Sequence, residues 1–198
     1  MTNGSRRGAE TVSDEKTAFR ARVRAKIKQL PEEYIRSSDA GIMKQVLALG
    51  VFRGAKTVFA YASVGREVDT KGIIESAVED GKRVCLPRTG SGGEMDFADI
   101  SAGLHVARYG IPEPDGSLPA LEPGREDVII VPAVCCDRSG ERLGQGGGYY
   151  DRYLARYPDA VTVCLCRERL LSEKVPVEWN DVRPGYVITE ERIIKTGP

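Results

Sequence analysis

Residues 128–154 read VIIVPAVCCDRSGERLGQGGGYYDRYL, and this stretch decides the fold. Its first nine residues lie in an almost unbroken apolar run over 127–136, which is typical of a strand that is covered on both faces. Four glycines then fall in the five positions 144–148, directly before a helix predicted over about 148–157. Each glycine costs roughly 0.5–1 kcal/mol of ordering relative to alanine, so the bare backbone of this loop needs a physical reason.

Strands and helices alternate on both sides of this stretch. Hydrophobic spacing predicts helices over 13–30, 38–49 and 70–80, and strands over 56–62, 83–87, 160–166 and 186–189. The glycine-rich segment before Met95 indicates a short antiparallel strand, and the prolines of 110–124 indicate an extended surface loop. The predicted fold class is α/β: a three-layer α/β/α sandwich with a mostly parallel, Rossmann-like sheet and a short antiparallel excursion.

Length and composition indicate one soluble domain. The chain has 198 residues, of which 41 % are apolar and 29 % are charged, and its formal net charge is zero. We expect a flexible tail over 1–12 and a single domain over 13–198. A neutral chain gives no reason to expect a nucleic-acid or membrane partner, and no apolar run approaches the ~20 residues that span a bilayer. The sequence therefore predicts a cytoplasmic protein, either a monomer or a weak homodimer.

The cysteines are expected to be structural. The sequence contains five cysteines and one histidine, and no pair of cysteines has the CxxC spacing of a metal site. Four of the cysteines lie in apolar runs. Small buried hydrophobic side chains in a reducing compartment explain them better than a metal cluster does.

The predicted sheet places chemically capable side chains at one edge. Ligands of such sheets bind beyond the carboxyl ends of the parallel strands. Glu67 and Asp69 follow the strand predicted over 56–62, Arg88 follows the strand over 83–87, and the loop 137–148 follows the central strand. An acidic group, a basic group and a glycine-rich turn are therefore expected to meet there.

A strand, a glycine-rich turn and a helix start together indicate a phosphate-binding loop. Unpaired backbone N–H groups and the absence of side chains allow phosphate oxygens to approach closely. Arg142 has the geometry for a bidentate grip on phosphate, and Asp151 either stabilises the helix start or holds Mg²⁺. The loop is neither a Walker A motif nor a GxGxxG motif. The alternative interpretation is a flexible surface turn.

The stretch RLGQGGGYYDRYL, preceded by VIIVPAVCCD, resembles the signature of the 5-formyltetrahydrofolate cyclo-ligase family. The similarity continues in order through KTAFR at 16–20, YASVGREVDT at 61–70, LPR at 86–88, MDF at 95–97, GIPEP at 110–114 and VPVEWND at 175–181. It covers nearly the whole chain after the predicted tail.

The resemblance implies an enzyme that converts 5-formyltetrahydrofolate to 5,10-methenyltetrahydrofolate with ATP and Mg²⁺. It assigns ATP binding to Lys16, Arg20, Arg142, Leu143, Gly144, Gln145, Gly146, Gly147, Gly148, Tyr149 and Tyr150. It assigns binding of the reduced folate to Ala62, Glu67, Gln145, Gly146, Gly147, Gly148 and Tyr149. It also implies catalytic roles for Arg142 and Tyr149 and a metal site at Asp151 and Asp181.

Taken without the resemblance, several of these residues also fit purely structural roles. The basic row Lys16, Arg20, Arg24 and Lys28 also fits a solvated helix face. Glu67 also fits a surface acid that pairs with Arg66 or Lys71, and Asp181 also fits a simple turn residue. Two other functions remain alternatives: an ATP-dependent ligase acting on another formyl or carboxyl compound, and a non-catalytic nucleotide or folate sensor.

Four positions depart from the family pattern. Cys136 stands where the family has phenylalanine, Leu170 where it has glutamine, Asn180 where it often has histidine, and Cys164 where it often has glycine. We expect the changes to Cys136 and Leu170 to alter the wall of the binding pocket.

Overall fold

A computed structural model describes residues 11–90, 93–106 and 112–196. Most of the predicted tail, and parts of the segments before Met95 and around GIPEP, lie outside these ranges. The helices are α1 (Val12–Gln29), α2 (Glu32–Ala48), α3 (Gly50–Gly54), α4 (Lys71–Glu79) and α5 (Tyr149–Leu154), with a 3-10 helix at Glu168–Leu170. No helix within the described ranges combines the length and the apolar character needed to cross a membrane.

The strands form one large sheet and two small ones. They are β1 (Thr57–Phe59), β2 (Arg83–Thr89), β3 (Met95–Asp99), β4 (Leu104–Val106), β5 (Pro112–Pro114), β6 (Val128–Val131), β7 (Cys135–Cys136), β8 (Arg142–Leu143), β9 (Val161–Leu165), β10 (Tyr186–Ile188) and β11 (Ile193–Lys195). The large sheet has the order β11-β10-β9-β6-β1-β2-β3. Its five inner strands are parallel, and β3 and β11 pair antiparallel at the two edges.

Helices cover both faces of the large sheet, so the predicted three-layer α/β fold is confirmed. Alternate residues of each inner strand enter different cores, as the two-residue period of a strand requires. Phe59 and Ile129 pack on one face with α1 and α5, whereas Val58 and Ile130 pack on the other with α2, α3 and α4. Burial on both faces explains why the inner strands read as apolar runs.

Helix α1 begins slightly earlier than the sequence analysis placed it. The Thr11 hydroxyl accepts a hydrogen bond from the Asp14 amide, and the Asp14 carboxylate accepts one from the Thr11 amide. This capping box satisfies two N–H groups that would otherwise lack partners at the helix start. The helix predicted over 13–30 therefore begins one residue earlier, at Val12, with Thr11 as its cap.

Four features of the structure differ from the sequence-based assignments. The strand predicted over 127–136 is divided into β6 and β7, because Pro132 lacks the N–H group that a ladder requires. The proline-rich loop contains β5, which pairs antiparallel with β4. The edge strand β11 was not predicted at all. The helix predicted over 148–157 is also shorter, because α5 ends at Leu154.

The central sheet should be sensitive to loss of volume. Ile130 is fully buried between the parallel strands β1 and β9. We expect Ile130→Ala to lower the free energy of unfolding by about 2–5 kcal/mol, since it removes buried methylene groups and leaves a cavity. Urea denaturation measures this loss.

Val78→Ala on α4 is the matched control, since Val78 is 51 % exposed. The control variant should unfold at nearly the same urea concentration as the unsubstituted chain. Equal losses from both substitutions would contradict the assignment of Ile130 to the core.

Candidate active site

The sheet topology creates a crevice between β1 and β6. The chain proceeds from β1 to β2 on one side, whereas β6 and then β9 lie on the other side of β1. The loops that leave the carboxyl ends of β1 and β6 therefore diverge, which is the arrangement in which open α/β sheets bind ligands. The first loop carries Glu67 and the second carries the glycine-rich segment 144–148.

A cavity of about 1180 Å³ opens at this crevice. A pocket for one small ligand typically holds ~300–1000 Å³, so this cavity has room for two adjacent ligands. Every residue that the family resemblance assigned to a site lines it: Lys16, Arg20, Ala62, Glu67, Arg142, Leu143, Gly144, Gln145, Gly146, Gly147, Gly148, Tyr149, Tyr150, Asp151 and Asp181. Their individual roles stay predictions.

The glycine-rich segment has a conformation that side chains would disfavour. Gly146 and Gly148 have φ values of 106° and 66°, in the left-handed region that glycine adopts readily. Within the described part of the chain, the amides of 145–148 have no hydrogen-bond acceptor. These residues line the open cavity, so N–H groups without an internal acceptor can serve an anionic ligand there.

Arg152 fixes the shape of this segment. One guanidinium nitrogen, Nη2, donates to the carbonyl oxygens of Gly93 and Gly147 at 2.8 and 2.9 Å. Its guanidinium group also lies over the Tyr149 ring, 5.4 Å from the centroid. The sequence analysis missed Arg152, because its position on a short helix gave no sign that it would reach back to the loop.

Three basic residues of α1 reach the cavity side of the fold. The Lys16 ammonium lies 2.9 Å from the Glu178 carboxylate and 2.6 Å from the Asp181 carboxylate. Arg20 donates to the Gly144 carbonyl oxygen at 2.9 Å, and Arg24 donates to the Gln145 side chain at 2.9 Å. The interpretation of the row as a solvated face is therefore wrong for the buried Lys16, whereas Arg20 is partly buried and Arg24 stays exposed while it contacts Gln145.

Arg142 is buried and already paired. Its guanidinium donates to the Asp151 carboxylate at 2.6 Å and to the Pro132 carbonyl oxygen at 3.2 Å, while Nε has no described partner. Burial alone would lower the pKa of this guanidinium, but the Asp151 carboxylate more than offsets that effect, and the pKa is raised. Arg142 therefore carries a permanent positive charge at the floor of the cavity.

Asp151 and Asp181 both line the cavity, and their metal-binding role stays a prediction. Asp151 accepts a hydrogen bond from the Val182 amide at 3.2 Å, which places the residue after Asp181 against it. Among the described residues no group of three or more His, Cys, Asp or Glu side chains is arranged to hold a metal. Mg²⁺ commonly binds through one or two carboxylates together with substrate phosphates, so this pair fits that smaller donor set.

The loop that carries Glu67 is anchored by contacts other than those considered in the sequence analysis. The Glu67 carboxylate accepts hydrogen bonds from the Val64 amide at 3.0 Å and from the Gln145 side chain at 3.2 Å. Arg66 pairs instead with Glu32. The alternative of a surface pair between Glu67 and Arg66 or Lys71 is therefore wrong, and Glu67 joins the two sides of the crevice.

Arg167 connects the loop that carries Glu67 to helix α2. The Arg167 side chain is 1 % exposed and donates to the carbonyl oxygens of Arg66 and Glu67 at 2.9 and 3.0 Å. It also donates to the Ser38 hydroxyl at 3.0 Å and to the Asp39 carboxylate at 2.6 Å, both on α2. A buried arginine inside an apolar strand end, LCR at 165–167, was the signal that the sequence analysis did not use.

The Tyr150 hydroxyl is covered and has no described partner. Burial raises the pKa of Tyr150, and the nearby Glu67 carboxylate raises it further, while Arg142 opposes them. The hydroxyl therefore stays protonated at neutral pH and is available as a hydrogen-bond donor on the cavity wall.

Some residues expected at the site lie elsewhere. Arg88 pairs with Asp96 at 2.8 Å and holds the carbonyl oxygens of Asp115 and Leu118, so it stabilises a neighbouring loop. Asp69 accepts from the Lys71 amide at the start of α4. Asp69 follows β1 whereas Arg88 lies within β2, and neither is among the residues that line the cavity.

The departures from the family pattern fall mainly in the core. Cys136 and Cys164 are fully buried with their sulfur atoms 3.4 Å apart, and Leu170 packs in the same core. These three residues are not among the described residues that line the cavity, whereas Asn180 is. The expectation that Cys136 and Leu170 change the pocket wall is therefore wrong.

The cysteines are buried thiols, as expected. All five are buried and free. The hydrogen bond to Cys164, followed by one to Cys166 and by burial, raises the pKa of Cys136 well above its usual value. Burial raises the pKa of Cys135 to about 12. They contribute to packing rather than to nucleophilic chemistry.

Several lining residues were not predicted. Thr89 at the end of β2, Met95 on β3 and Glu113 on β5 line the cavity, and so do Glu178 and Trp179 near the end of the chain. Glu113 was missed because proline content hid β5. Met95 was missed because the sequence analysis searched the carboxyl ends of parallel strands, and β3 is an antiparallel edge strand.

The fold and cavity define an α/β protein of the Rossmann-like class with a glycine-rich loop beside a cavity at the carboxyl edge of its sheet. Comparisons with known proteins specify the family. Residues 12–190 match the model of the 5-formyltetrahydrofolate cyclo-ligase family. The chain therefore belongs to this family, as the sequence motifs indicated.

Individual relatives agree with this assignment. The chain is 35 % identical to the 5-formyltetrahydrofolate cyclo-ligase of Mycolicibacterium smegmatis, over 81 % of the chain and 86 % of the relative. It is 36 % identical to the enzyme of the same name from Escherichia coli K12, over 70 % and 80 %. The solution structure of 5,10-methenyltetrahydrofolate synthetase from Aquifex aeolicus superposes with a TM-score of 0.81 and 28 % identity, covering 92 % and 93 % of the two chains.

The anchoring of the Glu67 loop by Arg167 can be tested by substitution. Arg167→Met removes the hydrogen bonds to the loop and leaves the Asp39 carboxylate without its cation. We expect the free energy of unfolding to fall by about 3–5 kcal/mol, since a charge loses its buried partner. Hydrogen exchange of the amides over 63–70 should also become faster than in the unsubstituted chain.

The pH dependence of this loss has a defined sign. Burial already raises the pKa of Asp39 despite Arg167, and removing the cation raises it further. When the folded protein holds an acid at a raised pKa, protonation of that acid at lower pH stabilises the folded state. The loss of unfolding free energy in Arg167→Met should therefore shrink as the pH falls. Arg125→Met is the control, because the Arg125–Asp159 pair is exposed. Similar exchange rates over 63–70 in both variants would contradict the anchoring role.

Proposed function

We propose that this protein catalyses the ATP- and Mg²⁺-dependent cyclisation of 5-formyltetrahydrofolate to 5,10-methenyltetrahydrofolate, with release of ADP and phosphate. The observation that carries this proposal is the single cavity that holds the glycine-rich segment on one side and Glu67 on the other. Family membership supports it, and the cavity is large enough for a nucleotide beside a reduced folate.

The triphosphate would be held by charge and by backbone amides. Lys16, Arg20 and Arg142 supply positive charge around the segment 144–148, whose free N–H groups face the same space. Helix α5 has only six residues, so its dipole adds little and the amides of the loop carry most of the interaction. Asp151 and Asp181 would hold Mg²⁺, which neutralises charge on the phosphates when bound.

The reduced folate would lie on the Glu67 side. The Glu67 carboxylate accepts hydrogen bonds and so suits the N–H edge of a pterin ring, while Ala62 leaves space beside it. Gln145 bridges Glu67 and the phosphate-binding segment, so it lies where the two ligands would meet.

The chemistry requires positioning more than a nucleophilic side chain. The formyl oxygen attacks the γ-phosphorus and ADP leaves. N10 then closes the ring on the formyl carbon, the C–O bond breaks, and the departing phosphate takes the N10 proton. Alignment of the two ligands in one cavity can contribute up to roughly 7–11 kcal/mol. Arg142 and the loop amides stabilise charge on the phosphoryl group as it moves. The neutral Tyr150 hydroxyl and the Tyr149 side chain complete the polar wall at this point.

The decisive experiment is turnover by the purified protein. With MgATP and 5-formyltetrahydrofolate, we expect the methenyl chromophore and ADP to form in equal amounts. ADP release with other formyl or carboxyl compounds, but not with this folate, would favour the alternative ligase. Tight binding of both ligands without any product would favour the sensor alternative. The predicted cytoplasmic location and the monomeric or weakly dimeric state stay predictions.

The glycine-rich segment can be tested by one substitution. A Cβ atom on Gly147 would lie 2.8 and 2.9 Å from carbon atoms of the Tyr149 ring, on the surface that faces the cavity. We expect Gly147→Val to weaken MgATP binding at least tenfold by calorimetry, while circular dichroism shows that the fold is retained.

Gly116→Val is the matched control, because a Cβ atom there meets no described atom within 4 Å. The control should bind MgATP as the unsubstituted protein does. If Gly147→Val also kept full affinity, the segment 144–148 would not be the phosphate site.

A further inference from the structure

The cavity has one aromatic residue with no role in the fold. Trp179 is 97 % exposed, the highest value among the large apolar side chains of the described residues, and yet it lines the cavity. An indole ring can bury about 150–250 Å² against a ligand, so leaving it in water forgoes a large favourable contribution unless something covers it. The ring therefore requires an explanation outside the packing of the chain.

The backbone beneath Trp179 is held firmly. The Asp181 amide donates to the Glu178 carbonyl oxygen at 3.2 Å, and the Glu178 amide donates to the Asp181 carboxylate at 2.7 Å. Lys16, itself 4 % exposed, then ties both carboxylates to α1. The turn 178–181 is thus a fixed base that presents the indole ring at the cavity rim.

Helix α1 shows which end of the cavity this is. Lys16 contacts the turn 178–181, whereas Arg24, two turns later, contacts Gln145, which in turn contacts Glu67. A rise of 1.5 Å per residue separates Lys16 and Arg24 by about 12 Å along the axis. The glycine-rich segment lies between, and Trp179 stands at the end opposite Glu67.

We propose that the indole ring of Trp179 stacks on the purine base of the bound nucleotide; this inference rests on the proposed function. The terminal phosphate must face the formyl group on the Glu67 side, and the phosphates lie along the segment 144–148. The base of an extended nucleotide then reaches the opposite end, where Trp179 is the exposed aromatic ring.

Charge favours the base over the folate as the occupant. The Glu178 carboxylate lies on the residue next to the ring, and it stays there when Asp181 binds Mg²⁺ and Lys16 binds the phosphates as proposed above. The glutamate tail of a reduced folate carries two carboxylates and would be repelled there. A purine base is neutral and offers a flat face, which is the surface that an aromatic side chain binds without charge complementarity.

The experiment uses the intrinsic fluorescence of the protein, because Trp179 is its only tryptophan. We expect MgADP to quench or shift the emission of the full chain at saturation. Magnesium tripolyphosphate should compete with MgADP but leave the emission nearly unchanged, since it has no base. Emission that ignores saturating MgADP, or that responds to 5-formyltetrahydrofolate alone, would overturn the inference.

Two variants separate stacking from a structural role. Trp179→Ala should raise the Kd for MgADP about 5- to 100-fold, the range expected from loss of one base stack, whereas Trp179→Phe should recover most of the affinity. Both should bind tripolyphosphate and 5-formyltetrahydrofolate as the unsubstituted protein does. An alanine variant with unchanged MgADP affinity would disprove the stack, and so would equal weakening of MgADP and tripolyphosphate.

These outcomes are distinct from failure of the proposed function. If the unsubstituted protein forms the methenyl chromophore while Trp179→Ala keeps its affinity for MgADP, only the stacking inference is wrong. If MgADP binds with the predicted emission change but no chromophore forms, the stack stands and the folate reaction does not. A change in sedimentation on Trp179→Ala, with MgADP affinity unchanged, would assign the ring to a protein contact and overturn the inference.

Discussion

The parallel pairing of β1 with both β2 and β6 is the constraint on which the site depends. Because all three strands run the same way, their carboxyl ends meet at one edge, and the chain order makes the loops after β1 and β6 diverge. An antiparallel β6 would carry the glycine-rich segment to the opposite edge, far from Glu67. Burial on both faces stabilises this pairing, and the residues that bind ligand need contribute little to it.

The strands were predictable where a local sequence pattern identifies them. The prediction failed where a strand depends on a partner strand that is distant in sequence. The apolar runs around Val58, Ile130 and Val163 identify buried parallel strands, because each residue is covered on its own face whatever the neighbouring strand is. The edge strand β11 and the proline-containing β5 depend on a particular partner strand, and nothing in their own sequence reveals it. Pro132 carries a local signal that the apolar run concealed.

The candidate site was predictable where a site residue lies in a loop that follows a predicted parallel strand. Glu67 and the glycine-rich segment were found in this way, whereas Arg88 shows that the same rule gives the strand end but not the face on which a side chain lies. Arg24, Arg152 and Arg167 each act through contacts with backbone carbonyl oxygens or side chains at least four residues away. Such contacts depend on the tertiary arrangement, so motif spacing alone does not reveal them.

Two ion pairs at the cavity form without any ligand, and they constrain how a triphosphate would enter. Lys16 holds Asp181 and Arg142 holds Asp151, so each candidate metal ligand is neutralised by a candidate phosphate ligand. A triphosphate with Mg²⁺ would replace both pairs together, giving the anion the cations and the metal the carboxylates. Either component alone would leave charges of one sign uncompensated in a partly buried site, which is unfavourable. The arrangement therefore favours the magnesium complex of the nucleotide over the free nucleotide or the free ion.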